Sequence, residues 1–167
     1  YGSTVYGGTA GSGVLRLDGS SWNRELAFGE RGTGTVNAVR SFGGGLWAAM
    51  TEGLYTRGSG PWTEVSAGLP SAGLVASLGG DATTAFAGLA TGGVYRRFAG
   101  GEFRKDSAGL SSSAVLSLDV AGRALWAAAG ARGLAVKRDG GWAPETNGLP
   151  AGASVTLVRG AVLRGPE

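Results

Sequence analysis

The chain has no cysteine and no histidine, and only five prolines and one methionine among its 167 residues. Without cysteine there is no disulfide framework. Without either residue, zinc sites built on thiolate or imidazole, cysteine–histidine dyads and Ser-His-Asp triads all lack the atoms they require. No apolar run approaches the roughly 18 residues of a membrane-spanning helix, so no transmembrane segment is expected. Charge is also sparse, at 16% of residues, yet 43% are hydrophobic and five are tryptophan. That balance is too apolar and aromatic for a disordered chain. What is abundant is glycine, with 34 copies, but segments such as 20–30 and 46–52 break the strict every-third spacing of collagen. An all-β fold of about one domain is left.

Lys plus Arg is 15 against 12 Asp plus Glu, a net charge of +3. With no histidine buffering the midrange, this small excess lifts the isoelectric point to about 9.7. The densest basic groups, Arg96-Arg97 and Arg104-Lys105, are too short for a polybasic tract, so no nucleic-acid partner is expected. The chain starts at Tyr1 with neither an initiator Met nor a signal peptide, which suggests a mature exported protein or a piece of a longer one. A periplasmic, cell-surface or secreted location is expected, in keeping with the lack of cysteine.

The glycines are not evenly scattered. Gly13, Gly53, Gly93 and Gly133 stand 40 residues apart, each followed by a short strand-like run. An aromatic lies six or seven residues before each of them (Tyr6, Trp47, Phe86, Trp126), and another nine or ten residues after (Trp22, Trp62, Phe103, Trp142). A third marker closes each unit: Ala67-Gly68-Leu69, Ala108-Gly109-Leu110 and Asn147-Gly148-Leu149, with Phe28-Gly29-Glu30 as the divergent copy. Between units an aliphatic position recurs at Val39, Leu78, Leu118 and Leu157. Each unit reads as four short strands separated by glycine-rich turns, with no room for crossover helices. Four antiparallel strands per unit of about 40 residues is the signature of a β-propeller blade. The fold class expected is therefore all-β, a propeller of about four repeats or part of a larger ring, with the whole of 1–167 as one domain or propeller segment.

Units of approximately 1–35, 36–74, 75–114 and 115–153 are expected, with 154–167 supplying a closing strand. Because the chain starts at a second strand and ends on a first one, its two ends are expected to pair in a composite blade. A fragment of a larger ring, or a homodimer completing one, is the rival arrangement. The repeated glycines are expected to serve turns that need positive φ.

The motifs Phe86-Ala87-Gly88, Gly92-Gly93-Val94-Tyr95-Arg96 and Trp142 with Asn147-Gly148-Leu149-Pro150 resemble the bacterial propellers related to Asp-box repeats, including sortilin-type and photosystem II assembly-factor-like blades. The likeness covers essentially the whole chain. It departs at the Asp-box turn, Ser-x-Asp-x-Gly-x-Thr-Trp. Asp18-Gly19-Ser20-Ser21-Trp22 is one residue short, Asp139-Gly140-Gly141-Trp142 is two short, and the middle copies lack the aspartate. The resemblance implies a binding scaffold without an active site of its own.

No constellation of reactive residues stands out. Asp18, Asp139, Glu64, Glu145 and Glu25 are the candidates for a glycosidase carboxylate pair, which requires a separation of about 5 Å or about 6.5–9.5 Å on one face. They read instead as solvated turn and outer-strand residues on different blades, and no catalytic residue or metal site is expected. Trp47 and Trp126 read as blade packing, while Trp22, Trp62 and Trp142 begin the outer strand. Residues that break the repeat within loops are more informative, because the fold does not require them. Arg31, Glu52 and Arg132 fall in loops on one face of the propeller and form the preferred binding site, with Arg40 and Asp119 facing the channel from the inner strand. The expected function is a non-catalytic module binding a protein partner through this face, with no cofactor. The alternatives are a propeller lectin that binds glycans, or a fragment of a sialidase-like or xyloglucanase-like glycosidase.

Overall fold

The computed structural model describes residues 4–26, 34–71, 75–121, 124–139 and 141–159, and all its regular elements are strands. They form four antiparallel sheets in chain order. The first sheet holds β1 (Tyr6–Gly8), β2 (Val14–Asp18) and β3 (Ser21–Leu26). The second comprises β4 (Val36–Phe42), β5 (Gly45–Met50), β6 (Leu54–Arg57) and β7 (Thr63–Glu64). The third comprises β8 (Val75–Gly80), β9 (Thr84–Leu89), β10 (Gly93–Phe98) and β11 (Arg104–Lys105). The fourth comprises β12 (Ser117–Ala121), β13 (Ala124–Ala128), β14 (Leu134–Arg138) and β15 (Gly141–Pro144). Each sheet is a meander in which consecutive strands pair, the β-propeller blade expected from the repeat.

Local chemistry accounts for these hairpins. Phe42 pairs with Gly45 across a two-residue loop whose Gly43 and Gly44 have φ of 59° and 73°. Two consecutive positive-φ residues match the turn to the twist of the flanking strands, and glycine adopts them without a Cβ penalty. The register shifts at the start of β4 and again at the start of β8, so Asn37 and Ala76 are the extra residues of a repeated bulge.

Three seams between four sheets hold the core. Val14, Leu26, Ala48, Met50 and Tyr55 fill the first seam. Ala49, Leu54, Leu78, Ala87 and Phe103 lead the second, and Val94, Val115, Leu118, Ala127 and Trp142 the third. A pair of small residues on each second strand explains the close approach: Ala48, Ala49, Ala87, Ala127 and Ala128 are fully buried, so neighbouring blades interdigitate large against small.

The 40-residue glycine column needs a mixed explanation. Gly13, Gly93 and Gly133 have φ of 74°, 86° and 80°, as expected of turn glycines, but Gly53 is not among the positive-φ residues. At Gly53 the requirement is space, since a Cβ there would lie 2.8 Å from the Tyr55 hydroxyl.

Adjacent blades are also latched by hydrogen bonds. Leu69 N–H donates to Ser66 O (3.0 Å) around Gly68, whose φ of 86° makes a type II turn. Phe103, on the outer edge of the next blade, then donates its N–H to Ala67 O at 2.8 Å. The same device joins the third and fourth blades, where Trp142 N–H reaches Ala108 O at 3.3 Å and its indole N–H reaches Asp106 O at 2.7 Å.

Residues 154–159 lie beside β12. Val155 exchanges two 3.0 Å backbone hydrogen bonds with Gly130, and Ser117 Oγ donates to Val158 O at 3.2 Å. Among the described residues no backbone hydrogen bond joins this segment to β1, and the first sheet has three strands.

Candidate functional site

Antiparallel alternation sends the loops between second and third strands, and the segments leaving the outer strands, to the same face of the propeller. This loop face is tied together by backbone hydrogen bonds: Gly92 and Gly93 both donate to Ser113 O, at 2.9 and 2.8 Å, and Thr51 donates to Thr35 O at 3.0 Å. Two repeat-related hollows open on it. One, of about 540 Å³, is lined by Gly92, Lys105, Ser107 and Ser111–Ser113. The other, of about 270 Å³, lies one blade further on and is lined by Arg132, Gly133, Thr146, Leu149 and Pro150.

A hydroxyl column forms the floor of this arrangement. Ser107 Oγ accepts the Val94 N–H at 2.9 Å and donates to Val94 O at 3.0 Å, while Ser66 Oγ accepts the Leu54 N–H at 2.9 Å. Thr146 holds the equivalent place in the fourth blade. The two serine hydroxyls satisfy the backbone where the third strand begins. Sequence reading overlooked them, although each directly precedes the Ala-Gly-Leu marker.

Glu52 and Arg132 occupy equivalent loops of the second and fourth blades, both exposed. No ion pair joins them, and Arg31 lies outside the described residues. Arg132 lines the smaller hollow, whereas Glu52 acts locally. Tyr55 is held above its ordinary ionisation range by burial first, then by the negative charges of Glu64 and Glu52. Arg40 and Asp119 are half-buried in corresponding inner-strand positions, paired across the strand with Trp47 and Trp126.

Three similar solved structures sharpen the fold assignment. The extracellular domain of BT4673 from B. thetaiotaomicron, in two structures, superposes with TM-scores of 0.71 and 0.68 at 14% and 15% identity, covering 91% and 90% of this chain. The computationally designed Ika8 protein superposes over 81% of the chain with a TM-score of 0.58 at 17% identity. The chain spans 21% of the BT4673 domain and 43% of Ika8. No family model and no curated protein matches it. At these identities the likeness establishes a β-propeller-like fold.

The opposite face carries clefts between blades. One, of about 190 Å³, is walled by Trp47, Arg97 and the Asp81–Thr84 turn. Phe42 stacks on Trp47 with ring centroids 5.0 Å apart and planes at 13°, and the Arg97 guanidinium lies 5.9 Å from the Trp47 ring. Its repeat-related counterpart, about 310 Å³, includes Tyr6, Leu46 and Arg57.

The carboxylates have structural partners. Glu25 was expected to be solvated, yet its side chain is only 13% exposed; it bridges Arg16 at 3.0 Å and Arg57 of the next blade. The cause is a bulge: Val14 pairs with Leu26 and Leu15 with Arg24, which leaves Glu25 unpaired and free to turn inward. Asp106, which sequence reading did not single out, repeats the arrangement with Arg96 at 3.7 Å and Lys137 of the following blade. Asp18 is bound by Arg16 at 2.6 Å. Glu145 remains more open, 3.5 Å from Arg138 with 41% of its side chain exposed. Among the described residues no group of three or more acidic side chains is disposed to hold a metal ion.

The outer aromatics differ along the chain. Phe103 and Trp142 are 2% and 6% exposed, whereas Trp22, in the same column, is 50% exposed. No helix among the described residues is long and apolar enough to cross a membrane.

Proposed function

We propose that this chain is a non-catalytic binding or scaffold module that engages a protein partner through its loop face. The observation carrying this reading is the pair of repeat-related hollows lined by Ser107, Ser111–Ser113, Thr146 and Arg132. They are shallow and offer hydroxyls, backbone groups and cations, a surface suited to a polypeptide. The engagement of Glu25, Asp106 and Asp18 with arginine and lysine supports the same view, because carboxylates tied into ion pairs are not free to meet a substrate. We infer an extracytoplasmic location, in line with the lack of cysteine and with the extracellular origin of the BT4673 domain. Kinship with Asp-box repeats belongs to this proposal too. Its support is the Asp18 turn, where the carboxylate receives Asn23 Nδ2 at 3.2 Å across the hairpin.

A second reading, glycan binding, is favoured by one specific feature: the two clefts between blades, each pairing an aromatic wall with an arginine. Aromatic faces and guanidinium groups are the elements that hold sugars and acidic glycans. A displayed-peptide selection run beside a glycan array separates the two. Peptide ligands lost on Ser112→Glu or Arg132→Glu, with a silent array, are expected. Glycan hits lost on Arg97→Ala would favour the second reading, and glycoside turnover abolished by Glu64→Ala or Glu145→Ala would overturn both.

A further inference from the structure

The third blade departs from its neighbours at three positions, and all three converge on the larger hollow of the loop face. The residue before the column glycine is Glu52 in the second blade and Arg132 in the fourth, but Gly92 in the third, which has no side chain there. On the outer strand, Val65, Asp106 and Glu145 each donate their N–H at 2.8 Å to the third strand, to Leu54, Val94 and Leu134 O, so the residues before them are equivalent. These are Glu64, Lys105 and Pro144. After the turn marker, the third blade has Ser111 where the others have Pro70 and Pro150. Gly92, Lys105 and Ser111 line one hollow of about 540 Å³, against about 270 Å³ for its counterpart in the fourth blade.

Together these departures reverse the sign of the site. Relative to the second blade, two carboxylates are gone and a cation and a hydroxyl have been added. Among the described residues no acidic side chain lines the hollow. Asp106, next to Lys105 in the chain, is turned into the seam, 14% exposed and bound by Lys137. Lys105 itself is exposed, and among the described residues neither it nor the Ser111 and Ser113 hydroxyls have a hydrogen-bond or ion-pair partner. Ser112, between those two, is committed to the backbone: its Oγ accepts the Ala114 N–H at 3.1 Å and donates to Ala114 O at 3.3 Å. The hollow thus offers one ammonium and two open hydroxyls without a competing anion. That donor set suits a carboxylate, which only accepts hydrogen bonds.

We propose that the third-blade hollow is the docking point for an acidic segment of a protein partner, a carboxylate of that segment being held by Lys105 Nζ and the hydroxyls of Ser111 and Ser113. The inference rests on the loop-face reading above and narrows it to the chemistry of the partner. The hollow of the fourth blade carries Arg132 and, among the described residues, no acidic side chain, so a run of acidic residues meets a second cation as it continues across the face. Glu52 and Glu64 set like charge on the second blade, both exposed. The segment therefore extends from the third blade toward the fourth.

The test titrates the chain into two fluorescein-labelled peptides of equal length, one with consecutive glutamates between glycine-serine ends and the other with glutamines in their place. Anisotropy is read at about 0.05 M and about 0.5 M salt, a range over which exposed charges become screened. The glutamate peptide alone is expected to bind, and more weakly at the higher salt. Lys105→Glu installs the residue that the second blade carries at this place, and Ser111→Pro the residue that both neighbours carry, so the repeat already accommodates each. The first should weaken binding about 10-fold or more, by setting like charge against the peptide, and the second about 3-fold, by removing one hydroxyl. Lys105→Gln, which adds no carboxylate, should show a loss between the two. Arg104→Glu makes the same charge change one residue away and outside the hollow, and should have little effect. Equal losses from Arg104→Glu and Lys105→Glu would reduce the binding to overall positive charge and overturn the proposal. So would a glutamine peptide that binds as tightly as the glutamate one. If neither peptide binds while displayed peptides still dock and are lost on Arg132→Glu, the acidic partner alone is refuted; if no peptide of any kind docks, the loop-face reading falls with it.

Discussion

Gly68 and Phe103 meet across the seam between the second and third blades, the Phe103 carbonyl occupying the space in which a Cβ of residue 68 would stand. One repeat marker is thus the receptor for another. The Ala-Gly-Leu turn and the outer aromatic recur together because each is half of a joint between blades.

Gly68→Ala should therefore cost about 3 kcal/mol or more, combining left-handed backbone strain with a clash against main chain that cannot rotate away. Gly148→Ala carries the same strain, at φ of 80° against 86°, but meets open space. In dilute protein it should cost only about 1–2 kcal/mol. Urea denaturation of the two variants measures the difference. Equal losses would show that the turn conformation alone makes the glycine necessary.

Glu25 and Glu145 occupy the same column and should respond differently. Glu25→Ala takes the carboxylate from Arg57 and leaves Arg16 with Asp18 alone, at a seam where Glu25 is 13% exposed, and should cost about 2 kcal/mol. Glu145→Ala loses a 3.5 Å contact to a half-exposed arginine and should change stability by less than about 0.5 kcal/mol. Thermal unfolding of both variants, with Glu25→Gln as a neutral isostere, decides whether the bridge or the packing of the side chain matters.

The repeat made the architecture legible because four strands, their turns and their aromatics recur in columns, and local chemistry and tertiary packing agree at each. Strand bounds such as Val36–Phe42 follow from the Gly43-Gly44 turn, which glycine dictates. The candidate site was less legible. Glu25 was read as solvated because a bulge reverses the side a residue faces, and alternation alone does not reveal bulges. Asp106 was passed over because its partner Lys137 lies on the next blade, 31 residues away. Trp22 shares a column with two buried aromatics and differs in that, among the described residues, no Ala-Gly-Leu turn receives it. Which outer aromatic is covered depends on neighbours, and composition within the repeat is silent on that.

Asp81 gives the fold a defined acid sensitivity. Its carboxylate accepts the Thr83 N–H at 2.8 Å, the Thr83 hydroxyl at 3.0 Å and the Thr84 N–H at 2.9 Å. The Thr83 backbone bond leads in holding it below the ordinary aspartate value, against a smaller opposing effect of desolvation. A carboxylate depressed in the folded state stabilises above its unfolded pKa of about 3.9, and that stability drains as pH falls through the lower folded value. The gap in denaturation midpoint between the native chain and Asp81→Asn should therefore be constant near neutrality and shrink below about pH 4. A gap that persists unchanged to strong acid would mean that the turn is held by the threonine hydroxyls rather than by the charge.

Tyr55 supplies the alkaline counterpart and a local probe of Glu52. The phenol is 6% exposed, and burial raises its pKa, with Glu64 and then Glu52 adding to the effect. A group raised on folding is at full benefit below its unfolded pKa, about 10, and that contribution is lost as pH climbs through the higher folded value. Alkaline unfolding should accordingly begin above the ordinary tyrosine range and be delayed in Tyr55→Phe, which has no proton to lose. Glu52→Gln removes one of the negative charges near the phenol and should bring the Tyr55 transition to lower pH, with a smaller shift than Glu64→Gln produces. Phenolate absorbance followed against pH in the two glutamine variants measures both. If Glu52→Gln leaves the transition where it was, Glu52 extends into solvent, and its charge is then free to meet a partner on the loop face rather than to tune the residue beneath it.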